Sequence, residues 1–159
     1  MDDITFKISG SLTVPLKRAM IELPSAERRA LYHAAYFLRD KVRQSIVTNV
    51  PKATVRNPKY NDTLVDAVMF TRPDGASITL HALGNRKKGS GTFRTRFFEL
   101  GTKDRFHKTR NGIRLKKKKY VGRLKPTYFF RSAVNANKEG VTNAMREILD
   151  RYITQCFEK

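Results

Sequence analysis

The sequence predicts an α+β domain in which an antiparallel β-sheet packs against a long helix in the N-terminal half and a C-terminal helix. Three observations lead there. Apolar residues recur at three- and four-residue steps in two separate stretches, 25–47 and 141–156, as one buried helix face requires. Between them lie short alternating or β-branched runs separated by turn residues, the pattern of antiparallel hairpins. The chain of 159 residues is 40% hydrophobic and 10% aromatic, enough to enclose one core and too apolar for a disordered basic tail. One domain covering residues 1–159 is therefore expected.

In chain order, Ile4, Phe6 and Ile8 alternate with polar residues before Gly10 and predict a short strand. Pro15 suits the first turn of a short helix, LKRAMIEL, which Pro24 ends. Ser25 then caps a long amphipathic helix from about 25 to 47, with Glu27 in its first turn and Leu31, Ala35, Leu38, Val42 and Ile46 on its buried face. Residues 50–62 contain Pro51 and Pro58 without periodicity and read as a loop. The runs 64–72 and 76–83 flank Pro73-Asp74-Gly75, whose turn chemistry predicts a hairpin. FRTRFFELG (93–101) reads as a strand stopped by Gly101, with a short helix as the alternative.

Asn111-Gly112, the favoured pair for a two-residue turn, centres a second hairpin over 105–120. Its strands carry so little apolar surface that they should project as a ribbon rather than join a central sheet. From about residue 129 the pattern is helical, with Val141, Ala144, Met145, Ile148, Leu149, Tyr152, Ile153 and Cys156 on one face. Gly140 weakens the early part by about 1 kcal/mol relative to Ala and marks where this helix begins.

Charge is distributed unevenly. Lys and Arg number 33 against 14 Asp and Glu, a net charge of +19. Residues 86–125 hold 16 bases and 2 acids, so +14 of the excess belongs to that stretch, with +4 before it and +1 after. The domain therefore carries a basic excursion over 84–120, made of the loop GNRKKGSG and the segment RFHKTRNGIRLKKKKY. Arg86, Lys87, Lys88, Arg94, Arg96, Lys108, Arg110, Arg114, Lys116, Lys117, Lys118 and Lys119 are the candidate contacts to DNA or to an acidic partner. Docking on phosphates would release many counterions. Phe106 and Tyr120 flank the run, but interleaved stacking aromatics, a zinc finger, an RNP motif and a helix-turn-helix are absent, so base-specific readout is not expected. A solvated ribbon is the competing explanation, set against a charge excess beyond what solubility requires.

No reactive constellation accompanies the charge. His33, His81 and His107 show no metal-ligand spacing, and GxSxG, P-loop and HExxH motifs are missing. Asp62, Asp66, Asp74 and Glu99 are the acids available to a metal-dependent nuclease, yet Glu99 is followed by Leu100-Gly101 and not by an acid-x-lysine pairing. Neither an enzyme, nor a metal, nor a cofactor is expected. Cys156 is the one cysteine, so an intrachain disulfide and a multi-cysteine zinc site are excluded, and its place on an apolar face predicts a small buried hydrophobe. No window nears the roughly 20 apolar residues of a membrane span, and MDDITFKISG lacks the pattern of a secretory signal.

Two further segments carry a resemblance. FFELGTK (97–103), followed by GRLKPTYFFRSAV (122–134) and a long amphipathic helix, resembles the small tail-component family of tailed bacteriophages, which includes head-to-tail joining and tail-completion proteins. NDTLVDAV (61–68) matches the family segment that opens a hairpin, Phe98-Glu99-Leu100-Gly101-Thr102 its strand end, and Pro126 with Phe129-Phe130-Arg131-Ser132-Ala133 its lead into the last helix. The ordered set spans roughly residues 25–155. Asp62 replaces a usual glycine, Ser132 stands where proline is frequent, and the ribbon between Thr102 and Pro126 is longer than the family pattern.

The resemblance implies a virion structural protein of the tail or head-tail junction, present in the cytoplasm of a bacterial host before assembly and then in the particle. Its partners would be further copies of itself in a ring, neighbouring head-tail or tail proteins, and DNA passing through the channel. Within that frame the motif residues read as scaffolding. Gly101 ends a strand, Thr102 caps the next segment, Pro126 directs the chain toward Phe129 and Phe130, which anchor the last helix on the sheet, and Glu99 pairs with Arg131. The rival expectation is a non-specific nucleic-acid-binding protein acting through 86–119.

Overall fold

A single helix, α1 (Thr13–Asn49), forms the spine of the molecule. The computed structural model describes residues 13–51, 54, 63–74, 77–82, 91–110 and 113–158. The expected strand at Ile4–Ile8 and most of the 50–62 loop lie outside the described residues. Pro24 sits inside α1 and does not end it, contrary to the sequence expectation. Proline removes one helical donor and its ring crowds the preceding turn, but here long-range packing outweighs that local cost. Tyr152 Oη donates to Glu22 Oε2 at 3.2 Å, the Phe37 ring lies against Gly140, and Ser45 Oγ donates to the Phe129 carbonyl at 3.0 Å. These contacts run antiparallel along α1. Ser25 accordingly is no N-cap, and its hydroxyl donates back to the Glu22 carbonyl at 2.7 Å.

The further helices are α2 (Gly91–Leu100), α3 (Phe129–Ala136) and α4 (Lys138–Phe157), of which α3 and α4 pack along α1 and α2 packs against α3 and the middle of the chain. The expected C-terminal helix is thus present, but its boundary falls at Asn137 and not at Gly140. Asn137 leaves helical geometry at φ −117° and ψ 17°, and its side-chain amide donates to the Ala133 carbonyl at 2.8 Å. Gly140 serves packing instead: a Cβ there would come within 2.8 Å of Phe37 Cζ. The core gathers where α1 and α3 meet the middle of the chain. Val42, Ile46, Val50, Leu64, Val68, Phe129 and Ala133 are buried together, with Leu80, Phe98 and Phe130 packed around them.

Among the described residues the β structure forms two small antiparallel sheets of two strands each. Strands β1 (Met69–Phe70) and β2 (Leu80–His81) pair as the expected first hairpin, closed by an Asp74–Ser77 bridge. Its pairing is shorter than the alternation suggested, because Val65–Ala67 forms a 3₁₀ turn. Thr63 donates to Asp66 Oδ2 through both its amide and its hydroxyl, at 2.8 and 2.7 Å, and Asp66 N returns a bond to Thr63 Oγ1. That reciprocal pair winds the chain and buries Leu64, Ala67 and Val68 on one side.

FRTRFFELG forms α2, the alternative to the expected strand. Helical spacing turns Thr95 and Phe98 inward together; Thr95 is 3% exposed and its hydroxyl donates to the Ala82 carbonyl. Gly101, at φ +73°, ends a helix and not a strand, the left-handed residue that commonly follows a last helical turn. Beyond it, β3 (Arg105–Arg110) and β4 (Ile113–Gly122) form the expected ribbon, with Arg110 opposite Ile113 across Asn111-Gly112.

Candidate functional site: a clasp and the basic ribbon it holds

The ribbon is rooted between the end of α2 and the start of α3, and the motif residues around Glu99 and Pro126 build that root. Thr102 N donates to the Leu124 carbonyl and Leu124 N to Thr102 Oγ1, each at 3.0 Å. Thr127 donates to the Phe98 carbonyl through both its amide and its hydroxyl, each at 2.8 Å. Gly101 packs so closely that an added Cβ would stand 2.7 Å from the Leu124 carbonyl oxygen and 2.9 Å from Pro126 N. Pro126 thus stands against Gly101 where the chain returns from β4, and the buried Phe129 enters the core between α1 and the 3₁₀ turn.

Glu99 closes the clasp in a way the sequence did not suggest. Its Oε2 accepts from Phe130 N at 2.8 Å and its Oε1 from Arg131 N at 3.1 Å. The carboxylate therefore satisfies free donors of α3's first turn and complements the helix dipole. The expected Glu99–Arg131 ion pair is replaced by this backbone contact, while the Arg131 guanidinium lies 5.8 Å from the Tyr128 ring centre. Tyr128 adopts φ 48°, a left-handed conformation unusual for a bulky residue, and its amide donates to the Glu99 carbonyl at 3.2 Å. The clasp holds that strained residue in place.

The ribbon itself is irregular. His107 faces Lys119 and Thr109 faces Arg114, so residues 115–118 of β4 stand against the single residue Lys108. The slip coincides with the lysine run. At the ribbon's root Phe106 and Tyr120 form a cross-strand pair with ring centres 5.4 Å apart, both about half exposed. Tyr120 Oη donates to Asp104 Oδ1 at 3.3 Å.

The candidate contacts separate into groups. Lys117 and Lys119 are exposed on β4. For Lys108, Arg110, Arg114, Lys116 and Lys118 the backbone is placed on the ribbon. Arg96 is exposed on α2 and lines an apolar cleft of about 540 Å³ with Leu80, Leu100 and Phe130. Arg94 is partly buried and engaged within the fold. Arg86, Lys87 and Lys88 lie outside the described residues.

Elsewhere the titratable groups serve the fold. Burial lowers the Arg43 pKa, and its guanidinium donates to the Val68 carbonyl at 3.1 Å. Tyr152 is pushed above the ordinary phenol range by loss of hydration, with Cys156 and Glu22 beside it. Cys156 is buried, as its apolar face predicts. Sequence reasoning missed the cluster in which Arg39 lies 4.7 Å from the Tyr36 ring centre and Tyr36 meets Phe70 edge-on. The helical spacing of Tyr32, Tyr36 and Arg39 was its available signal. Among the described residues, no group of three or more His, Cys, Asp or Glu is placed to hold a metal ion, and no helix is long and apolar enough to cross a membrane. Comparison of the chain with protein-family models, with curated proteins and with solved structures returns no match.

Proposed function

We propose that this chain is a structural, non-enzymatic component of a phage tail or head-tail junction, working by assembly into a ring and docking to neighbouring tail or connector proteins. The observation that carries the reading is the joint placement of the motif segments. FFELGT and PTYFFRSA, far apart in sequence, lock together through Glu99, Gly101, Thr102 and Thr127. Such a clasp suits a scaffold that must present a surface at a defined angle.

Exposed apolar side chains support assembly. Ile21 is 79% exposed, and Leu23, Ile153 and Phe157 are also exposed on the two helices joined by the Tyr152–Glu22 contact. Phe97 and Leu100 are exposed on α2. Large exposed apolar residues in separate patches fit the two unlike faces of a head-to-tail ring contact. The protein would reside in the host cytoplasm until assembly and in the particle afterwards. Deleting its gene from the genome that encodes it should yield separate heads and tails, or tails of defective ends, with infectivity restored by the gene supplied in trans. Normal joined particles without it would refute the assignment. The local charge of +14 over residues 86–125 favours one second reading, a non-specific nucleic-acid binder acting without any ring.

A further inference from the structure

We propose that the β3–β4 ribbon and its root form an arm that grips the phosphate backbone of a nucleic-acid duplex without reading its bases. The inference rests on the reading above only in treating the ribbon as a contact surface, and it holds for a single copy of the chain. Residues 86–125 contain only Glu99 and Asp104 as acids against 16 bases; Glu99 is held by the first amides of α3, and the exposed Asp104 accepts from the Tyr120 hydroxyl. Lys103, Arg105, Lys117, Lys119, Arg123 and Lys125 are exposed around them. Among the described residues none of these six joins an ion pair; the Arg105 guanidinium donates to the Gly122 carbonyl at 3.4 Å. Such an array repels itself in the free protein and is relieved by a polyanion.

Shape and residue type then select among polyanions. A two-stranded ribbon is narrow enough to follow a duplex groove, and its register slips over residues 115–118, an irregularity of the kind that bends and twists a strand pair. The charges at the slip are lysines, compact point charges suited to phosphate, and not the planar arginine fork that reads guanine. Phe106 and Tyr120 are packed on each other and Tyr120 is tied to Asp104, so, although half exposed, they staple the ribbon rather than stand apart as separate stacking platforms. That arrangement selects a duplex over a single strand. The clasp fixes both ends of the arm through Thr102 and Leu124, which reduces the ordering cost of docking.

The test is fluorescence anisotropy of the full chain with a labelled mixed-sequence DNA duplex across a salt series. The logarithm of affinity should fall linearly with that of salt concentration. Replacing Lys117→Gln together with Lys119→Gln should flatten the slope by about 2, at roughly 0.9 per phosphate contact. Lys138→Gln with Arg146→Gln on α4 should leave it unchanged, with circular dichroism confirming that both variants fold. Unrelated duplex sequences should bind within about threefold of one another, as a backbone contact requires. An unchanged slope in the ribbon variant overturns the proposal. So does tighter binding of the single strand, or displacement of the duplex by poly-glutamate at equal charge concentration, which would identify an acidic protein surface as the partner. Failure of the ring reading leaves this result standing, whereas a ring-forming protein that ignores duplexes would refute the arm alone.

Discussion

Glu99 shows how much one side chain can organise. Its two oxygens hold the first amides of α3 while its own backbone carbonyl receives the Tyr128 amide, so one residue links the end of α2, a strained turn and the start of the next helix. Glu99→Ala should cost about 1–3 kcal/mol of stability, the range for leaving partly buried donors unsatisfied, and Glu99→Gln should cost less because one acceptor oxygen remains. Urea denaturation of both variants measures the difference. The importance of Glu99, Gly101 and Pro126 was legible in the sequence as an ordered motif. The partner of Glu99 was not, because Arg131 offered an obvious cation, while the free amides of a helix's first turn have no signature of their own. Gly101 was legible as a stop, but not as the stop of a helix. FRTRFFEL satisfies both periods, and only the Thr95 bond to the Ala82 carbonyl settles it.

Among the elements, α1 departs furthest from local expectation. Pro24 reads as a terminator by every local rule, and α1 passes through it because α4 lies along both halves. Since Pro24 is exposed, Pro24→Ala restores a donor without opening a cavity. It should stabilise the protein by about 1–2 kcal/mol, the helix-interior cost of proline less its restriction of the unfolded chain, seen as a rise of several degrees in Tm. Unchanged or lower stability would mean that the proline shapes the contact with α4. The helix faces were legible because they repeat over several turns: Val42 and Ile46 are buried, as are Ala144 and Cys156. The first hairpin was legible in its turn but not in its length, since the Thr63–Asp66 pair competes with strand extension. The ribbon was legible as a strand pair separate from the first hairpin. Its register slip was not, because nothing in a run of lysines distinguishes one register from the next.

At the scale of the molecule, the α+β class rests on patterns that survive any error in single elements. The division of the β structure into two small sheets does not follow from them, because strand pairing depends on contacts distant in sequence. Of the net charge of +19, +14 lies in residues 86–125, which include the ribbon and hold only two acids. The clasp, the ribbon and the exposed apolar side chains are then separate parts of one molecule, and the function we propose for it lies in contacts with other copies and other components. Substituting Phe157→Glu and Ile153→Glu together, both about half exposed on α4, should weaken self-association while leaving the circular dichroism unchanged. The most direct test of the assembly claim is sedimentation velocity of the purified full chain over a concentration series, with electron microscopy of the largest species. The account predicts a discrete multi-copy species that images as a closed ring with a central opening. A monomer at every concentration, with and without duplex DNA, would contradict it.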